Sequence, residues 1–183
     1  SYRGAIDATI SPNGEVDKAT VVSDEETSLI HAAFVNYQSG AGDDWLLSLI
    51  GNKSVLARLN ETMDYLKRER RDSATWLIWR AHTTDLGDVK LEGCPVPTDF
   101  ILGDAVIATI FDQAFTYRAF LELQQMNAAV GADDIAARYS DDARILRDTV
   151  NLYLWDAVHG YYRIHKKLTP ISIPVDTDRI FAL

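Results

Sequence analysis

Apolar positions recur at helical spacing in four stretches of the chain, and each stretch has its own start and stop signals. Ser23 offers an N-cap with Glu26 completing a capping box, and Leu29, Ile30, Ala33, Phe34 and Tyr37 follow as one stripe, ended by Gly40 and Gly42. A short apolar turn over 45–50 leads to Gly51. The second helix is predicted over 52–70, with Leu56, Leu59, Met63 and Leu66 on one face and charge on the other. The third, over 103–128, is apolar nearly all round: Val106, Ile107, Ile110, Phe111, Phe115, Phe120, Leu121, Leu123 and Met126. Such a helix is expected to be buried on most sides. Gly131 breaks it. The fourth, over 133–154, is amphipathic through Ile135, Tyr139, Ala143, Leu146, Val150 and Tyr153.

Between the helices, residues 75–80 read as a short strand and 81–103 as a long loop rich in Gly, Pro and acids. Residues 155–160 turn the chain into "YYRIH", 166–183 are irregular, and 1–22 are extended with a turn at 11–14. The predicted class is all-α: antiparallel hairpins over 23–82 and 103–165, with tight turns near Ala41 and Gly131. All tight turns then lie at one end of the helices and all long loops at the other. Aromatic–Arg pairs punctuate this order. From Arg3 in Tyr2-Arg3 to Arg80 in Trp79-Arg80 is 77 positions, and on to Arg163 in Tyr162-Arg163 is 83, whereas Tyr117-Arg118 falls out of phase. The near-even spacing suggests a repeat architecture in which "IWRAH" and "YYRIH" occupy the same place in successive hairpins.

Composition narrows the chemistry. A net charge of −9 argues against a nucleic-acid partner, which would meet a basic face. The basic run Lys67–Arg71 ends a helix, where cations suit the dipole. No apolar run reaches membrane-spanning length, and the amino terminus has no signal-peptide core. Cys94 is the only cysteine, so no internal disulfide forms, which fits a reducing, cytoplasmic setting or simply a disulfide-free protein. His31, His82, His159 and His165 are scattered without metal-ligand spacing, so neither a metal nor another cofactor is expected.

Several loop-end residues carry candidate chemistry. Asp85 and Asp88 in "TDLGDV" can protonate or hold a hydroxyl-bearing ligand, or simply cap a turn beside Gly87. Asp24 and Glu25 sit where the first helix should open onto the long-loop end, as substrate ligands or as ordinary first-turn acids. Trp79 can stack on a sugar face or serve the core, and His82 flanks the same loop. Arg80 and Arg163 suit a scaffold role, pairing carboxylates between hairpins, and Gln113 suits a satisfied core amide.

The order "VVSDEETSLIHAAFVNYQSGAGDDWLL", "HTTDLGDV", then "FDQAFTYRAFLELQQMNAAVG" and "LW…GYYR" resembles the six-hairpin α/α-toroid glycosidases, over roughly residues 20–165. That superfamily includes glucoamylase, trehalase, α-rhamnosidase and the glycogen-debranching amyloglucosidases. The resemblance implies an incomplete toroid, since six units of about 80 residues need roughly 480. It also implies that further hairpins of the same protein, or an oligomer partner, cover the flanks of the third helix. Asp88 matches the position of the general acid, in an acid-assisted, inverting hydrolysis of an α-linked oligosaccharide or glycoconjugate. The Trp of the related motifs is absent, with Leu86 or Gly87 in its place. Two alternatives are a non-catalytic carbohydrate-binding or assembly module, which the missing Trp favours, and a sugar epimerase, for which His82 would be the base.

Overall fold

The computed structural model describes Ile10, Gly14, residues 24–79 and residues 107–168. Within them the chain is mostly helical, with three two-stranded antiparallel ladders. Helix α1 (Asp24–Asn36) passes through a π turn (Tyr37–Ala41) into α2 (Gly42–Leu47). Strands β1 (Leu49–Ile50) and β2 (Lys53–Ser54) then precede α3 (Val55–Arg70). Strand β3 (Ile107–Thr109) leads into α4 (Ile110–Ala129), α5 (Asp133–Tyr153), β4 (Trp155–Asp156), β5 (Tyr161–Tyr162) and β6 (His165–Lys167). No helix among the described residues is long and apolar enough to cross a membrane.

The expected boundaries shift where local chemistry competes with the apolar pattern. The tight turn expected near Ala41 is a longer excursion: Gly40 at φ 108° interrupts the helix and Gly42 at φ 71° starts α2. Helix α3 starts at Val55 instead of Asn52, because β1 and β2 pair around Gly51, at φ 66°, and the Ser54 hydroxyl accepts from the Ala57 N–H at 3.1 Å. Helix α4 starts at Ile110, since Ile107–Thr109 pairs with β6 and Thr109 caps the helix through the Asp112 N–H at 3.1 Å. Gly103 and Val106 lie outside the described residues. The second tight turn forms as expected around Gly131, at φ 77°, with the Ala132 N–H donating to the Asn127 carbonyl at 2.9 Å.

One core runs through α1 to α5, built on Ile30, Ala33, Leu46, Leu59, Met63, Leu66, Leu123, Met126, Tyr139 and Leu146. Burying each large aliphatic side chain contributes about 1.5–3 kcal/mol. Helix α1 packs more extensively on α4 than on α3, so the first hairpin is splayed where the second, α4 with α5, is closed. Polar pairs fix the register. Asn60 and Asn127 exchange amide hydrogen bonds at 3.1 and 3.0 Å between α3 and α4. Lys67 reaches Asp142 on α5 at 2.9 Å and lies over the Tyr139 ring, so this part of the basic run ties helices together beyond suiting a dipole.

The burial expected on most sides of α4 covers only part of its circumference. Its fully buried face carries Gln113, Thr116, Ala119, Leu123, Met126 and Asn127, whereas Phe111 is 39% exposed. Neighbouring helices choose the buried face, and a helix without a strong apolar stripe does not announce that choice in its sequence.

The strand expected over 75–80 is instead a return turn that folds onto the end of α3. Arg71 bridges Ile78, and the Trp79 N–H donates to the Arg70 carbonyl at 2.8 Å. The same turn follows α5. Trp155 pairs with Tyr162, and the Arg163 N–H donates to the Leu154 carbonyl at 2.8 Å. Inside each turn an aspartate carbonyl accepts from the residue four on: Asp72 from Trp76 at 2.7 Å, Asp156 from Gly160 at 2.8 Å. Each aspartate side chain also takes a backbone N–H, from Thr75 at 2.7 Å and from His159 at 3.1 Å. Arg71 and Trp155, Asp72 and Asp156, Trp76 and Gly160, Ile78 and Tyr162, and Trp79 and Arg163 are all 84 positions apart. The return turn therefore recurs, at an offset of 84. Trp79, not Arg80, answers to Arg163, and the aromatic–Arg spacing of 83 is one residue out of step.

Candidate functional site

The two return turns and the start of α4 meet at one end of the helices. Leu77 from the first turn, Ala108 from β3 and Leu154 from the end of α5 form a fully buried cluster. Gln113 locks this junction. Its Oε1 accepts from the Ile78 N–H at 2.8 Å, and its Nε2 donates to the carbonyls of Ile78 at 2.7 Å and Thr109 at 2.9 Å. That is the satisfied core amide expected of it. The Thr109 hydroxyl donates to Asp112 Oδ2 at 2.6 Å, completing the cap beneath. Trp79 and Ile107 flank residues 80–106, so both attachment points of that long connection lie at this junction.

Asp88, Asp85 and His82 lie outside the described residues. Asp24 opens α1, and Glu25 is half-buried in the first turn of that helix and engaged in an interaction of its own. Trp79 is half-buried, with the Arg70 guanidinium 5.1 Å from its ring centre. Among the described residues Arg163 does not pair a carboxylate of another hairpin: it meets Asp156 Oδ2 of its own turn at 3.3 Å. Asp156 collects donors from His159 and Val158 as well. The His159 side-chain hydrogen bond, aided by the two backbone N–H groups, holds its carboxyl well below the usual carboxylate range, at about 2, against the opposing effect of burial.

Three features escape a reading of the sequence alone. Glu122 is buried on α4, its Oε1 2.6 Å from His31 Nδ1 on α1 and 3.7 Å from Arg118 Nε. An acid in the middle of an apolar helix was the signal available for it. The arrangement ties α1 to α4. A groove of about 280 Å3 between α4 and α5 is lined by Ile110, Ala114, Tyr117, Leu146 and Val150. Its polar rim is committed: Gln113 to the junction, and Asn151 Oδ1 to the Tyr162 hydroxyl at 2.6 Å. Arg70, the third feature, is buried at the end of α3 among cations that the sequence presents as a solvated run.

No protein-family model matches the chain, and no curated protein matches its sequence.

Proposed function

We propose that the chain forms part of an α/α toroid of the glycosidase type and serves the acid-assisted, inverting hydrolysis of an α-linked oligosaccharide or glycoconjugate, without a cofactor. The observation that carries this reading is the return turn repeated at an offset of 84 residues, with the same hydrogen bonds after α3 and after α5. A closing turn repeated at a fixed offset is what successive units of such a ring require. Both attachment points of residues 80–106 at the junction favour that end as the catalytic one, since ligands are met by connections held on a rigid scaffold. Asp88 is then the general acid, protonating the glycosidic oxygen as the bond breaks, with Asp85 beside it in sequence as the nearest source of like charge. Asp24, Glu25, Trp79 and His82 are assigned to substrate hydroxyls and ring faces. Asp112 is committed to its cap and Glu122 to His31, so the second carboxylate is assigned to another hairpin.

The test is hydrolysis of a panel of α-linked aryl glycosides and oligosaccharides by the complete protein, with the product anomer followed by NMR. Release of sugar with inversion, reduced by about two to four orders of magnitude in Asp88→Asn, is the expected result. Binding without turnover would favour the non-catalytic module, consistent with the missing Trp at Leu86-Gly87. Isomerised sugar with no hydrolysis would favour the epimerase and His82.

A further inference from the structure

Arg70 is 6% exposed, and its Nη1 is buried without a hydrogen bond among the described residues. The acids nearest in sequence are engaged elsewhere, Glu69 by Arg68 at 2.7 Å, Asp72 by Thr75 at 2.7 Å and Asp64 by Lys67 at 3.3 Å, and Lys67 also takes Asp142 of α5. A charge removed from water costs several kcal/mol unless it is paired. The ring of Trp79 offers a cation–π contact, yet a ring face does not satisfy five N–H donors set in a planar fork.

The backbone does not demand this arginine. Its counterpart 84 residues later is Leu154, fully buried, which closes the same turn with an apolar side chain. The second turn also shows what a paired arginine looks like there: Arg163, the counterpart of Trp79, finds Asp156. In the first turn the matching carboxylate, Asp72, is taken by the N–H and the hydroxyl of Thr75, both at 2.7 Å, and Arg70 forms no ion pair among the described residues.

We propose that the Arg70 guanidinium receives the anionic group, a carboxylate or a phosphate, of a sugar-bearing ligand at the junction, with the Trp79 ring lying against the sugar. The inference deepens the carbohydrate reading of this end and rests on it. A planar fork of donors matches the paired oxygens of either anion, and desolvation at this depth strengthens the contact. The ligand supplies the charge that the fold withholds.

The test is titration of the complete protein at low ionic strength with glucuronate, glucose 6-phosphate and glucose, read by tryptophan fluorescence and calorimetry. The charged sugars should bind at least tenfold more tightly than glucose. Their order against each other decides between carboxylate and phosphate. Arg70→Gln should weaken the charged sugars by about ten- to a hundredfold and leave glucose unchanged. Arg70→Lys, which keeps the charge and loses the fork, should fall between them, and it decides the matter should Arg70→Gln fail to fold by circular dichroism. Equal binding of glucose and the charged sugars, or an undiminished preference in the variants, overturns the inference and leaves the carbohydrate reading standing. Failure of every sugar to bind overturns both.

Discussion

The first return turn (Arg70 to Trp79) and the second (Leu154 to Arg163) share a backbone and almost no side chains. The second is self-sufficient. Leu154 fills its base, Trp155 meets Tyr162 edge to face at 4.8 Å, and Gly160 takes the left-handed position at φ 73°. Asp156 gathers its donors from within the turn. The first puts Arg70 at the base, Arg71 over the Trp76 ring at 4.2 Å, and Trp76 itself at φ 65°. A bulky residue in that conformation is strained by about 1–2 kcal/mol, a cost glycine avoids. The first turn also depends on help from outside, since Gln113 of α4 supplies partners to both backbone groups of Ile78. One turn is scaffold. The other gives up stability where it borders the long connection, as binding and catalytic sites commonly do.

The sharpest way to break this comparison is to remove the outside help. Gln113→Ala strands the buried N–H and carbonyl of Ile78 and should lower unfolding stability by about 2–4 kcal/mol. Hydrogen exchange at Ile78 and Trp79 should speed up, while Arg163, bonded to the Leu154 carbonyl, keeps its protection. Equal loss in both turns would show that the two are held in one way.

Next in size is the pair of left-handed positions. Gly160→Ala meets no atom within 4 Å of its new Cβ, so its cost is conformational alone, about 1–2 kcal/mol in urea denaturation. Trp76→Gly relieves strain and gives up the ring contact with Arg71, so it should fall well short of that loss. Comparable losses at the two sites would mean that Trp76 is not strained.

A smaller effect separates the turns by pH. The Asp156 carboxyl lies at about 2 in the fold against 3.8 outside it, so its contribution is complete above about pH 4 and is lost as the pH falls toward 2. Between those values the amide signals of Val158, His159 and Gly160 should shift together, and Asp156→Asn should abolish the transition. Its persistence in that variant would assign the change to another carboxyl.

These contrasts explain how much the sequence disclosed. Helices α3 and α5 were legible because Leu59, Met63 and Leu66, or Tyr139, Ala143 and Leu146, mark one face each. The Gly131 turn was legible because a positive φ there favours glycine. Gln113 read correctly as a core amide. The face that α4 buries was not legible, because apolar residues surround it and only the placement of α1, α3 and α5 decides between Thr116 and Phe111. The repeat was visible one residue out of phase. The aromatic–Arg pairs are not what the two turns share; Asp72 and Asp156 perform the common task through main-chain and side-chain oxygens. Arg70 was hidden in a basic run because a string of letters does not separate a buried guanidinium from the exposed ones beside it. Asp85, Asp88 and His82 remain assignments from resemblance, and their test is kinetic.

The most direct test of the claim that the first turn trades stability for a ligand is urea denaturation of Arg70→Leu, which gives the first turn the base of the second. The account predicts a gain of about 1 kcal/mol or more, because an unpaired buried charge is replaced by an apolar side chain that the same backbone already accepts at Leu154. A loss of stability would mean that Arg70 is a structural residue with its own satisfied place in the fold, and would contradict the account.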